Sequence, residues 1–358
     1  KAVALTRYLP IDDPQSLVDV ELPDPPSPTG HDVLVQVEAV SVNPVDAKLR
    51  APKPAVEATP RVLGFDATGV IAAVGDAVDG FTAGDRVYYA GDVTRPGSNA
   101  QRQLVDARLI ARAPTSLSPA QAAALPLASL TAWELLFERM GFDPDRGGTD
   151  HSLLVIGGAG GVGSIAIQLG RRAGFTVIAT ASRDASAHWC TRMGARHVID
   201  HRQPLPAQLH AVGHPQVDVV LNLADTNRYW EPIGEIVAPL GRVGLVVGPR
   251  APVDIGDPYK DKAVSVHWEF MFARAKHRTA DLGRQGTILA RIAALVDAGE
   301  LLGLQAKLKA LRRVKGLQTK GRRKDGSTFR ASVLITAMRD ADWMGQIYTF
   351  LGLSYGVI

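Results

Sequence analysis

Apolar positions change character along the chain. Before about residue 120 they fall in short β-branched runs, VLVQVEAVSV (33–42), TGVIAAVG (68–75) and DRVYYAG (85–91), separated by Gly, Pro and Asp. Such spacing predicts a small, irregular β-rich domain. From about Ala120 the composition turns helical, in PAQAAALPLASLTAWELLFERMG (119–141), with Pro126 marking a break or kink. Six strand candidates then follow: LLVIGG (153–158), TVIATAS (176–182), HVID (197–200), VDVVLNLA (217–224), GRVGLVVG (241–248) and AVSVHWEF (263–270). Helical stretches separate several of them, which predicts an α/β fold with a doubly wound parallel sheet. An amphipathic helix, ILARIAALVDAGEL (288–301), comes after it, and no internal repeat is visible.

The first strand of that series runs into LLVIGGAGGVGSIAIQ (153–168), with five glycines in seven residues. Gly158, Gly160 and Gly163 fit G-x-G-x-x-G, with Gly161 and Val162 inside the motif. The first glycine permits the turn, the second lets backbone approach a pyrophosphate, and the third lets helix and strand pack closely. A helix N-terminus there offers free N–H groups and a positive dipole end. The strand–glycine–helix–strand context reads as a dinucleotide site. The second strand ends Thr180-Ala181-Ser182-Arg183 with no acid before Asp184, whereas a site selecting NAD carries Asp or Glu about 20 residues on. Ser182 and Arg183 can donate to a 2′-phosphate, so NADPH is the expected cofactor. The other reading leaves Arg183 as a solvated charge and gives the ribose to Asp184. His201 and Arg202, after the third strand run, can add positive charge to the same edge, and His201 reads equally well as a surface residue.

Composition narrows the class. The 358 residues are 46% hydrophobic and 21% charged, enough for a large core and more than one domain. There is no run of 18 apolar residues, so no membrane span is expected. KAVALTRYLP has no signal-peptide pattern, and a single cysteine, Cys190, excludes an intramolecular disulfide. A cytoplasmic protein is expected, with Cys190 a packed thiol. The net charge of +4 is uneven: residues 1–306 carry 29 Lys and Arg against 33 Asp and Glu, and residues 307–358 carry 11 against 3. The basic character belongs to the tail.

Several stretches together resemble the medium-chain dehydrogenase/reductases, in the zinc-free branch with quinone oxidoreductases and zinc-type alcohol-dehydrogenase-like proteins. They are VSVNPVD (40–46), VLGFDATGVIAAVG (62–75), FTAGDRVYYAG (81–91), AAALPLASLTAWELL (122–136), GGAGGVGSIAIQL (157–169) and VSVHWEFMF (264–272). The resemblance covers residues 1–303. It implies a GroES-like catalytic domain over 1–122, a Rossmann NADP-binding domain over 123–272, a cleft between them, and a return helix within 273–304. Zinc members carry a first Cys ligand where this chain has Val42-Asn43-Pro44, and Gly-His-Glu where it has Gly64-Phe65-Asp66. His31 is the only histidine before residue 150, and one cysteine cannot form a four-cysteine structural site. No metal is expected.

Without a Lewis acid, another group must polarise the acceptor. The resemblance places VNPVD at the nicotinamide end of the cleft. Asn43 can donate to a carbonyl oxygen, with Asp46 orienting it; alternatively Asn-Pro starts a turn that Asp46 caps. Relatives of the quinone-reductase type often carry Tyr two residues after that Asp, where this chain has Lys48. Lys48 is a candidate proton donor or a surface residue. Tyr88 and Tyr89 are further candidate donors, although tyrosines in a strand usually pack. Thr131 matches a position near the nicotinamide in the family.

After Leu304 the resemblance stops. GRRKDGSTFRASVLITAMRD looks like the last strands of a PAS domain, and IYTFLGLSYGVI faintly resembles a stretch of the preprotein-translocating motor ATPase. Both are too short to fold as their parents do, and neither lends a function. LKALRRVKGL and ASVLITAM are candidates for a helix and a closing strand that relatives possess. Ten Lys and Arg between 307 and 330 read as a solvated run rather than a nucleic-acid surface. The expected activity is NADPH-dependent hydride transfer to a quinone or an α,β-unsaturated carbonyl (an enone). The alternatives are a carbonyl/alcohol dehydrogenase and a non-catalytic NADPH-binding protein. A homodimer is left open.

Overall fold

The computed structural model describes residues 1–304, Asp12 excepted, and a short antiparallel strand pair, Lys320–Arg322 with Thr328–Arg330. The helix and strand expected at LKALRRVKGL and ASVLITAM lie outside the described residues. The chain divides into two compact units, one of residues 1–127 with the chain from Phe272 on, the other Ala128–Met271.

The first unit is β-rich, as the short β-branched runs predict. Its strands are β1 (Ala2–Tyr8), β2 (Val18–Val20), β3 (Asp32–Ser41), β4 (Lys53–Val62), β5 (Asp66–Val74), β6 (Arg86–Tyr89), β7 (Arg102–Asp106) and β8 (Ile110–Arg112). Helix α1 (Pro44–Arg50) follows β3. An antiparallel sheet orders its strands β7-β3-β5-β6-β8, and a smaller one β2-β1-β4. Val33, Val35, Ala67, Ile71, Val87 and Tyr89 alternate inward from β3, β5 and β6 to form its core. In the expected helical stretch, α2 (Pro119–Ala122) stops and α3 (Pro126–Trp133) restarts at Pro126. Pro126 has no N–H to lose at a helix start, so the break falls there. The stretch finishes as a π-helix, Glu134–Arg139, which the apolar pattern does not foretell. By length and composition Pro119–Arg139 qualifies as a candidate membrane span, but 89% of its apolar window is buried inside the protein.

The second unit is the predicted doubly wound sheet. Strands β9 (Ser152–Ile156), β10 (Thr176–Thr180), β11 (His197–Ile199), β12 (Val217–Asn222), β13 (Val237–Leu245) and β14 (Ser265–Trp268) are all parallel, in the order β11-β10-β9-β12-β13-β14. The order reverses at β9, so the loop leaving β9 sits at the topological switch point, where such sheets bind ligands. The helices are α4 (Gly161–Arg172), α5 (Asp184–Met193), α6 (Leu205–Ala211) and α7 (Thr226–Ile236).

Helices α8 (Ala273–His277) and α9 (Arg284–Asp297) return the chain to the first unit. Tyr88 donates its hydroxyl to the Leu289 carbonyl of α9 at 2.6 Å. Asp297, ending α9, accepts from both the backbone N–H and the hydroxyl of Thr115 and of Ser116, at 2.6–3.0 Å.

Candidate active site

One group of candidate residues lies in the first unit. Strands β3 and β5 pair antiparallel with Ser41 opposite Asp66, so the chain leaving β3 meets the start of β5. That register brings Asn43 to Asp66 across 23 residues: Asn43 Nδ2 donates to Asp66 Oδ2 at 2.8 Å. The other carboxylate oxygen, Oδ1, accepts from the Leu127 N–H at 2.7 Å, in the first turn of α3. Gly64, two residues before Asp66, lets the segment that carries Ser98 and Asn99 pack close. Its φ is +100°, and a Cβ there would stand 2.5 Å from Asn99 Oδ1 and 2.7 Å from Ser98 Oγ.

Of the two readings of Asp46, the structure shows the helix cap. Asp46 Oδ2 accepts from the backbone N–H of Asn43 at 2.8 Å, which caps α1, while Asp66 holds the Asn43 amide. Helical geometry accounts for this: a carboxylate three residues into a helix reaches back to the N-cap amide. Both carboxyls are buried. Burial pushes Asp46 up to about 7, against the backbone N–H groups of Asn43 and Gly64. Burial pushes Asp66 up to about 8; the Asn43 amide and the Leu127 N–H oppose it, and the charge of Asp46 adds to it.

The remaining candidates of this unit are placed elsewhere. Tyr89 is wholly buried and donates its hydroxyl to Gln103 Oε1 at 2.9 Å, so it is a core residue rather than a donor at a reacting centre. Burial raises its phenol far above the ordinary value, as it does for Tyr88. Lys48 is exposed on the last turn of α1. Phe65, at the position of the zinc branch's histidine, is buried edge-on against Phe272 with centroids 5.0 Å apart. Among the described residues no three His, Cys, Asp or Glu side chains stand together as a metal cage, and Cys190 is buried behind the glycine loop of the other unit. Asn43, Phe65 and Asp66 do not make a zinc donor set.

The second unit holds the glycine loop, between β9 and α4. A Cβ on Gly158 would lie 2.8 Å from the Ala179 Cβ, and one on Gly163 only 2.4 Å from the Gly157 carbonyl oxygen. Backbone therefore packs where side chains would stand, and α4 starts at Gly161 with an extended Gly160 before it and no side-chain cap. Val162 is half-buried on the first turn. This cradle, with its uncapped helix terminus, fits a pyrophosphate. Thr180, which sequence reasoning did not single out, accepts from the Gly157 N–H at 3.0 Å and ties the loop to the tip of β10. Ser182 is half-buried at that tip, Arg183 is exposed before α5, and Asp184 opens α5, where an acid complements the helix terminus. Arg202 is exposed, and its guanidinium donates to the Asp200 carboxylate at 2.7–3.1 Å. His201 is half-buried, and Thr131 is buried in α3.

Residues 29–114 match the alcohol dehydrogenase GroES-like domain family, and residues 161–274 match the zinc-binding dehydrogenase family. A zinc-type alcohol dehydrogenase-like protein of Staphylococcus aureus is 41% identical over 276 residues, 76% of this chain and 81% of that protein. The 2-methylene-furan-3-one reductase of Solanum lycopersicum is 38% identical over 214 residues, 56% of this chain and 52% of that protein. The crystal structure of a Rhizobium etli protein, provisionally called a zinc-dependent alcohol dehydrogenase, superposes with a TM-score of 0.79 at 42% identity, covering 95% of this chain and 98% of that one. With a GroES-like domain, a doubly wound parallel sheet and relatives of this closeness, the chain belongs to the medium-chain dehydrogenase/reductase superfamily of oxidoreductases.

Proposed function

We propose that the chain is an NADPH-dependent reductase of quinones or α,β-unsaturated carbonyls that works without zinc. The observation that carries this reading is the buried Asn43 amide, pinned by Asp66 where the zinc branch holds its metal ligands. The Gly158–Gly163 loop and the uncapped start of α4 would hold the pyrophosphate, with Ser182 and Arg183 on the 2′-phosphate. Thr131 is carried over from the family as a nicotinamide neighbour. When bound, the reduced nicotinamide supplies the hydride.

An alcohol substrate must become an alkoxide, which needs a strong stabiliser. Quinones and enones spread the incoming charge over a π-system and need less help. Asn43 Nδ2 carries two protons, and Asp66 takes one; the second can donate to a substrate oxygen as charge builds there. The proton that completes the reduction comes from water.

The names of the Staphylococcus and Rhizobium relatives favour a second reading, a carbonyl/alcohol dehydrogenase. Against it stands the donor set. The test is NADPH oxidation with quinone, enone and aldehyde panels beside alcohol oxidation with NADP⁺. Turnover of quinones or enones is expected. Strong alcohol oxidation with neither would overturn the reading.

A further inference from the structure

The phosphate-cradling loop is braced from beneath by the next helix. Trp189, buried on α5, donates its indole Nε1–H to Ser164 Oγ at 2.7 Å. Ser164, buried in the first turn of α4, donates its own hydroxyl to the Gly160 carbonyl. The same carbonyl accepts the Ser164 backbone N–H at 2.9 Å. One acceptor at the mouth of the helix is thus held twice by one residue. The indole fixes which way that residue's hydroxyl turns.

The consequence follows from peptide geometry. In a trans peptide the C=O of one residue and the N–H of the next lie in one plane and point in opposite directions. A Gly160 carbonyl pulled into the helix therefore aims the Gly161 N–H out of its N-terminus. Glycines on both sides leave that plane free to rotate otherwise, and a donor that must meet an anion gains from being fixed beforehand. The neighbouring Cys190 supports the same loop, since its Sγ lies 3.2 Å from where a Gly158 Cβ would stand.

We infer that Trp189 and Ser164 are positioning residues for dinucleotide binding, a relay from α5 that orients the Gly160–Gly161 peptide toward the pyrophosphate. The inference rests on the reading of this loop as a dinucleotide site. Because α5 begins beside Ser182 and Arg183, one helix then serves both the 2′-phosphate end and the pyrophosphate end of the cofactor.

The test compares W189F, S164A and the double variant with the unaltered protein, by calorimetric titration with NADPH, ADP and adenosine 2′-monophosphate. Trp189→Phe keeps an aromatic ring in the core and removes the indole donor together with some buried volume, an effect that the adenosine 2′-monophosphate comparison separates. Loss of one neutral hydrogen bond in the relay should weaken NADPH and ADP about fivefold and leave adenosine 2′-monophosphate, which has no pyrophosphate, unchanged. The double variant should be no weaker than S164A, because both changes break one chain of bonds. Equal weakening of all three ligands, or additive losses, would assign the pair a purely structural role and overturn the relay. Unaltered protein that binds none of the three would overturn the dinucleotide reading itself. Binding by the unaltered protein with no change in W189F would overturn only the relay.

Discussion

Asn43 Nδ2 donates to Asp66 Oδ2 at 2.8 Å, joining the turn after β3 to the first residue of β5. The bond engages one amide proton; in the proposed function the other donates to a substrate oxygen. Asn43→Ala should cut turnover by about 10²–10³, the worth of a preorganised oxyanion donor, with little change in the KM for NADPH. Asp66→Ala should also lower kcat, because it frees the amide to rotate. Lys48→Ala should leave turnover near the unaltered value, since Lys48 is exposed at the far end of α1. Steady-state kinetics with a quinone and an enone decide this, and an N43A variant with unaltered kcat would remove Asn43 from the mechanism.

The two buried carboxyls give stability a pH signature. In the unfolded chain both ionise near the ordinary value of 3.8, whereas in the folded protein Asp46 holds its proton to about 7 and Asp66 to about 8. Between those limits the native state binds more protons. Their contribution is therefore full below about pH 4 and is lost as pH rises toward 8. Urea unfolding at pH 5, 6.5 and 8 should show a decline, and D66N should flatten it by at least about 1.4 kcal/mol, one pKa unit. Identical slopes in the two proteins would show that Asp66 does not titrate in this way.

Asp297 acts in the opposite sense. Burial raises its carboxyl, but four hydrogen bonds from Thr115 and Ser116 outweigh this and hold it at about 2. Its contribution is present above pH 4 and lost as pH falls toward 2. The site is exposed and screened, so Asp297→Ala should cost about 1 kcal/mol and lower Tm by about 1–3 °C at neutral pH. An unshifted Tm would make the α9 attachment independent of this carboxylate.

Cofactor preference should depend on Arg183 and not on Arg202. Removing a charged hydrogen bond to a 2′-phosphate costs about 1.5–3 kcal/mol, so Arg183→Ala should weaken NADPH by that amount and spare NADH. Arg202→Ala should change little, because Asp200 already occupies that guanidinium. Equal losses for both cofactors in R183A would point to a general structural effect.

Zinc should be absent in stoichiometric amount from the purified protein, and chelators should leave its activity intact. The motivation is the donor set of Asn43, Phe65 and Asp66. Elemental analysis giving about one zinc per chain would refute it.

Local pattern was enough for the sheet, the glycine loop and the β-rich first unit. Each depends on short-range rules: buried parallel strands are continuously apolar, turns need glycine, and helices restart at proline. Candidate chemistry was legible only as residue types. The sequence offers Asn43 with Asp46 three residues on, a spacing that suits either an orienting pair or a helix cap. Strand register decides between them, because pairing β3 with β5 brings in Asp66 and leaves Asp46 to the cap. Tyr89 and Arg202 carry the right groups for a site. Only their surroundings, Gln103 in the core and Asp200 at the surface, show those groups already engaged. The Trp189–Ser164 relay is likewise invisible along the chain, since it joins residues 25 apart on two helices. Sequence determines what each segment can form with its near neighbours; which polar group meets which across the fold is set by packing, since a buried donor or acceptor must take the partner that tertiary structure puts within reach.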